Sequence, residues 1–356
     1  MKPEALAQYG FDEAFQAELA RRATQSSSNA VTGALAPVPP EMIVPLPALG
    51  TPERARLRTA GLELMRAGKV GAVILAGGMA TRFGGVVKAV VPALEELSFL
   101  EIKQSDIKAL PGKVPTLVMS SFATHEAIRL HIKEQKLGKL EVFPQFVALR
   151  LTPTGELFHE GNGEVSPYAT GHGDLTFALR RSGALQRFRD AGGTTLLMSN
   201  VDNLGATLDP AIIALHHELG GAITVEVVAK VPGDKGGAPA LLDGVPQIIE
   251  GFRFPPAFDQ DSIGVFNTNT FVFDAAAIDQ DFDLPYYRVE KQVDGAKVIQ
   301  FERLAGELTA RLPTRFVRVE REGPDTRFLP VKDPEELARQ QPLIAEVAIS
   351  RRSIDG

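Results

Sequence analysis

The residues best equipped for chemistry lie between positions 72 and 88. An apolar run, Ala72-Val73-Ile74-Leu75-Ala76, passes directly into Gly77-Gly78. A short turn then ends at Thr81-Arg82, followed by Gly84-Gly85 and by Lys88. Glycines after a strand let the backbone approach a ligand closely and aim successive N–H groups at an anion. Arg82 and Lys88 add the positive charge that a triphosphate needs. The spacing matches neither G-x-G-x-x-G nor G-x-x-x-x-G-K-[ST], so neither the dinucleotide fingerprint nor the P-loop is present here.

Further candidates sit where apolar runs break into polar residues. Gly171-His172-Gly173-Asp174 opens a helical stretch, where the backbone could approach an anion or where Asp174 could simply cap the helix. Ser199-Asn200-Val201-Asp202-Asn203 follows the apolar Leu196-Leu197-Met198. Asp202 there is either a hard oxygen ligand for a divalent cation or part of an Asx turn. Lys235-Gly236-Gly237 with Glu250 suits a hydroxyl-rich ligand, and is otherwise a plain glycine turn. Phe266-Asn267-Thr268-Asn269 interrupts a β-rich run, and polar groups buried there need partners. Lys332 closes Arg327-Phe328-Leu329-Pro330-Val331-Lys332; by itself it reads as a solvated surface charge.

The elements that must position these groups alternate. Residues 2–24 carry the apolar spacing of an amphipathic helix, and a Ser- and Pro-rich stretch follows as a linker. Thr51-Pro52-Glu53 is a helix start, and Gly68 ends that helix. Strands are expected at 70–76, 115–120, 141–148, 194–199, 222–229 and 264–273, and helices at 100–109, 124–136, 174–190 and 209–219. This alternation predicts a mostly parallel sheet with helices on both faces, whose ligands bind outside the carboxyl ends of the strands.

Composition bounds the rest. The 356 residues are 44% hydrophobic and 23% charged, ordinary for a globular chain. With 38 basic against 44 acidic residues, the formal charge is −6, which argues against nucleic acid as a partner. There is no cysteine, so disulfides, thiolate metal sites and cysteine nucleophiles are excluded. No apolar run has the length of a membrane span, and no signal peptide opens the chain. A cytoplasmic protein is expected.

Taken in order, LAGGMATRFGG with Lys88, FLEIKQSDI, LVMSSFATHEA, VFPQ, GHGD, SNVDNLGAT, KGG, FNTNT, VIQFE and RFLPVK resemble the UDP-sugar pyrophosphorylase family. SNVDNLGAT and FNTNT belong to its uridylyltransferase branch, whereas LPALGTPERARLRTAGLELMRAGKV looks more like its UDP-N-acetylhexosamine branch. The resemblance implies a Rossmann-like three-layer α/β/α nucleotidyltransferase fold with a mixed central sheet. It divides the chain into an N-terminal helical and linker segment packing on the core (1–68), a catalytic domain (69–335) and a short closing segment (336–356) with no β-helix domain.

It also implies an activity: uridylyl transfer from UTP to glucose 1-phosphate, assisted by Mg²⁺. Lys88, Arg82 and Lys332 would be catalytic. Gly77, Gly78, Gln145 and Gly171 would hold the nucleotide, and His172, Asn200, Gly237, Glu250, Asn267 and Asn269 the sugar phosphate. Asp202 would hold the metal. Arg82-Phe83, a loop to Lys88 shorter by one residue, Tyr168-Ala169-Thr170 before GHGD and Ala238-Pro239 after KGG depart from the family pattern. They leave N-acetylglucosamine or galactose 1-phosphate open as the acceptor, and leave a non-catalytic nucleotide-sugar binding protein as another reading.

Overall fold

A computed structural model describes residues 3–25, 28–80, 83–234 and 236–353. Its centre is an eight-stranded sheet: β1 (Ile43–Pro45), β2 (Val70–Leu75), β3 (Thr116–Ser120), β4 (Leu140–Pro144), β5 (Thr195–Asn200), β6 (Ile223–Ala229), β7 (Val265–Asp274) and β8 (Thr314–Arg318). They lie in the order β1-β8-β6-β7-β5-β2-β3-β4. β7 runs antiparallel to both of its neighbours, and every other pairing is parallel. The sheet is therefore mixed, as expected.

β2 is buried along its whole length, as a strand covered on both faces must be. Its side chains alternate between two cores. Ala72 and Ile74 face the core that contains Leu57, Ile102, Ile128, Ile212 and Ile344. These come from α2 (Pro52–Arg66), α3 (Phe99–Lys108), α4 (His125–Glu134), α7 (Pro210–Leu219) and α8 (Pro334–Ser353). Val73 and Leu75 face the other core, with Leu179 of α5 (Leu175–Arg181), Leu185 and Phe188 of α6 (Ala184–Asp190), and Ile248. Each of these valine, leucine, isoleucine and phenylalanine side chains contributes about 1.5–3 kcal/mol on burial.

Local signals in the sequence set the helix starts. Thr51 accepts the Arg54 N–H with Pro52 in the first turn. Ser98 and Glu101 form a reciprocal capping box at the start of α3. Two expected helices are instead broken. Residues 2–24 form a 3₁₀ stretch (Pro3–Tyr9) and α1 (Glu13–Ala23), separated by Gly10 at φ +75°. The 174–190 helix breaks at Gly183, whose φ of +72° is open to glycine and costly for other residues.

The N-terminal stretch is more than a linker. Leu6 and Tyr9 bury against Val147 and Leu149, and Leu19 against Ala148 and Ile299. Residues 43–45 form the edge strand of the central sheet. An antiparallel hairpin, Tyr287–Val293 with Ala296–Glu302, and the α8 helix lie outside the elements expected from sequence. Among the described residues no helix is long and apolar enough to cross a membrane.

Candidate functional site

The candidate residues gather at the carboxyl end of the parallel strands. Gly77 follows β2, Ser121 follows β3, Gln145 follows β4, and Asn200 ends β5 with Asp202 just beyond it. Because β7 is antiparallel, its first half, Val265 to Asn269, reaches the same end.

On the β2–β3–β4 side the wall is made by close backbone approach. A Cβ on Gly77 would lie 2.2 Å from Gln145 Nε2, so the Gln145 amide occupies the space a side chain would fill. Gly78 has nothing within 4 Å of that position. Gln145 is 6% exposed and its N–H donates to Ser120 O. The turn after β3 fixes the glycines: Thr124 Oγ1 donates to Ala76 O at 3.0 Å and accepts the Ser121 N–H. Ser121 and Thr124 belong to the SSFATH motif, but the sequence had given them no role.

Gly171 sits at φ +104°, with Arg303 O 2.4 Å from the position its Cβ would take. Asp174 does not cap α5 with its side chain. It is fully buried, pairs in a fork with Arg303 Nε and Nη2 (2.9 and 2.6 Å), and accepts from the Phe146 N–H and Thr170 Oγ1. That pairing pins the GHGD turn to residues 303–305. His172 Nδ1 accepts the Ala305 N–H at 3.0 Å, which assigns the proton to Nε2. Burial pushes His172 down to about 4, so the ring is neutral at physiological pH and offers Nε2–H as a donor.

The β5–β7–β6 side is built from side chains. Lys88 Nζ donates to Asp202 Oδ2 at 2.5 Å. Asn269 Nδ2 donates to Asn200 Oδ1 at 3.0 Å, and the Asn269 N–H to Asn267 Oδ1 at 3.0 Å. The register of β6 against β7 shifts between Glu226, opposite Thr270, and Val227, opposite Asn267. Thr268 and Asn269 fill that bulge, and Asn269 takes φ +57°, a conformation that asparagine tolerates. The polar interruption of the β7 run is thus a bulge that turns the asparagines toward the strand ends. The Asn267 N–H donates to Gly237 O.

Glu250 closes this side. Its Oε1 lies 3.2 Å from where a Gly237 Cβ would be. Burial pushes the Glu250 carboxyl up to about 7; the neighbouring Glu307 adds to this and Arg253 opposes it. Lys332 is exposed, but the preceding Val331 N–H donates to Asp202 O at 3.1 Å, which places Lys332 beside the Asp202 turn. Arg82 lies outside the described residues.

One carboxylate, Asp202, is available for a divalent cation; among the described residues no three His, Asp or Glu side chains converge. That donor set fits Mg²⁺, which is commonly held by one or two carboxylates with substrate phosphates and water. Buried charges beneath the site escaped the sequence reading. Lys103, 3% exposed, donates to Ser199 Oγ (2.9 Å) and Ala206 O (2.5 Å), bridging the two ends of the Asp202 turn.

Known proteins resemble this chain in sequence and in fold. The model of the family described as UTP--glucose-1-phosphate uridylyltransferase matches residues 10–345. UTP--glucose-1-phosphate uridylyltransferase 2 of Dictyostelium discoideum is 30% identical over 296 residues, 76% of this chain and 58% of that protein. The UTP--glucose-1-phosphate uridylyltransferase of Hordeum vulgare is 29% identical over 325 residues, 83% of this chain and 66% of that one. The chain thus spans under two thirds of the length of these relatives. Among solved structures, the uridine diphosphate N-acetylglucosamine pyrophosphorylase of Trypanosoma brucei superposes with a TM-score of 0.74 at 17% identity, over 95% of this chain and 84% of that one. A UDP-glucose phosphorylase of the same organism gives 0.72 at 23% identity, over 94% and 76%.

Proposed function

Because the chain belongs to the UTP--glucose-1-phosphate uridylyltransferase family, we propose that it transfers uridylyl from UTP to glucose 1-phosphate, releasing pyrophosphate. The observation that carries this reading is the meeting of Lys88, Asp202, Asn200 and Asn269 at the sheet end where Gly77, Gly78 and Gln145 form the opposite wall. A nucleotide laid across Gly77-Gly78 would present its uracil edge to the Gln145 amide, which has both a donor and an acceptor. Its phosphates would then lie toward Lys88.

A phosphate oxygen of the sugar 1-phosphate forms a bond to the α-phosphorus of UTP, and the bond from that phosphorus to the bridging oxygen of pyrophosphate breaks. The attacking oxygen is already ionised, so no general base is required. Both reactants are anions, and the work of the protein is positioning and charge stabilisation. Lys88 would exchange Asp202 for phosphate oxygens, leaving Asp202 to hold Mg²⁺. When bound, Mg²⁺ would neutralise phosphate charge. Lys332 and Arg82 would add further positive charge. His172 Nε2–H would donate to the sugar phosphate, and Glu250, Asn200, Asn267, Asn269 and the Gly237 backbone would meet the sugar.

A second acceptor, N-acetylglucosamine 1-phosphate, is raised by the superposition on the Trypanosoma uridine diphosphate N-acetylglucosamine pyrophosphorylase, whose TM-score of 0.74 is slightly above the 0.72 of the UDP-glucose phosphorylase of the same organism. Pyrophosphate release from UTP and Mg²⁺ across glucose, N-acetylglucosamine and galactose 1-phosphates tests both. Fastest release with glucose 1-phosphate is expected. No release with any of these sugars, despite UTP binding, would turn the reading to a nucleotide-sugar binding protein.

A further inference from the structure

Beneath the polar side of the site lies an ion pair that the transfer chemistry does not use. Glu226, in β6, is 0% exposed, and Arg327 is 1% exposed. Arg327 Nε and Nη2 donate to the two Glu226 carboxylate oxygens at 2.7 and 2.6 Å, the two-pronged geometry that guanidinium fits best. Burial opposes the charge on Arg327, and the attraction and hydrogen bonds of Glu226 outweigh it, so the guanidinium stays protonated.

Three segments that carry candidate residues meet at this pair. Arg327 Nη2 donates to Thr207 O (2.8 Å), at the end of the Asp202 turn. The Arg327 carbonyl accepts Asn203 Nδ2 (3.2 Å), and Asn203 Oδ1 accepts the Leu329 N–H (2.8 Å). Two residues on, Val331 reaches Asp202 O, and Lys332 follows. The Glu226 carbonyl accepts Thr268 Oγ1 (2.9 Å), inside the bulge that aims Asn267 and Asn269.

Stability alone is a poor reason for such a pair. Taking two charges out of water is costly, and well-packed apolar replacements of a buried pair are often neutral or stabilising. A bidentate fork, by contrast, fixes the relative placement of the segments it joins.

We propose that Glu226 and Arg327 are positioning residues, which hold the Lys332 segment, the Asp202 turn and the Asn267–Asn269 bulge in the register that phosphate transfer requires. The proposal rests on the uridylyl-transfer reading for its catalytic consequence.

The test is the double variant Glu226→Leu/Arg327→Met, which removes both charges together. Thermal unfolding, kcat, KM for UTP and amide hydrogen exchange at Leu329 and Val331 are measured. A thermal midpoint close to the parent is expected, with kcat reduced at least tenfold, KM for UTP changed less than threefold, and faster exchange at both amides. A folded double variant with parental kcat and parental exchange would overturn the proposal. Arg327→Lys decides the question independently, because it keeps the charge and loses the fork. Its kcat loss should be smaller in a Lys332→Ala background than in the parent, because part of it acts through Lys332, whereas losses that multiply in full would also overturn it. If the parent protein itself releases no pyrophosphate, the transfer reading has failed, and the exchange rates still judge the pair.

Discussion

The two sides of the site solve the same problem, holding an anionic ligand at a sheet edge, with different materials. On the β2–β3–β4 side the wall is backbone, glycine and hydroxyl: Gly77 under Gln145, and Thr124 holding Ala76 O. On the β5–β7–β6 side it is amides and charges: Lys88 on Asp202, Asn269 on Asn200, with Glu226–Arg327 and Lys103 beneath. The first side should therefore be sensitive to volume and the second to charge. The base of a nucleotide is flat and neutral and is recognised by shape and a few hydrogen bonds. The phosphates demand cations that stay in place.

The sharpest break in that contrast should come from Lys88→Ala. On the charged side it removes the ammonium that would stabilise the transferring phosphate and leaves Asp202 without its ion-pair partner. We expect kcat to fall about 10²- to 10³-fold, the range for losing one preorganised stabiliser, while UTP binding through the opposite wall changes little. Steady-state kinetics with a thermal-unfolding control decides it. A near-parental kcat would mean that Lys88 only neutralises Asp202.

Gly77→Ala is the matching perturbation on the other side. The new Cβ would meet Gln145 Nε2 at 2.2 Å. That atom is the end of a flexible side chain, so the fold should survive while the amide is pushed off the base. KM for UTP should rise about tenfold, close to 1.4 kcal/mol, with kcat nearly unchanged. An equal loss in kcat would place Gly77 on the phosphate side of the boundary.

The contrast also explains what could be read from sequence. The backbone side is local: LAGG follows its own strand, and Thr51-Pro52 announces its own helix. The FNTN interruption of β7 was readable as polar groups in need of partners, although the bulge that satisfies them depends on β6. The charged supports were not readable. Asp174 with Arg303 and Glu226 with Arg327 join residues more than a hundred positions apart, and each alone looks like an ordinary charge in a loop or strand. The break at Gly183 was also missed, since a single glycine inside an apolar helical pattern is usually tolerated.

Glu250 offers the gentlest probe, because it is the charged-side residue whose carboxylate has no hydrogen bond among the described residues, while nearby Arg253 is engaged by Glu307 (2.5 Å). Burial first, and Glu307 second, raise the Glu250 carboxyl to about 7. A carboxyl whose folded-state pKa exceeds its unfolded value binds more protons when folded, so stability falls as pH rises between the two values. The window runs from the ordinary glutamate range, about 4.3, up to about 7. Across it the folded protein would lose up to about 4 kcal/mol from this group. Glu250→Gln cannot ionise and escapes that loss. The variant should therefore match the parent near pH 4 and exceed its thermal midpoint at pH 8. Midpoints that run parallel across that interval would show that Glu250 is already ionised and solvated, and that the charged wall tolerates a free carboxylate where a sugar hydroxyl is proposed to bind.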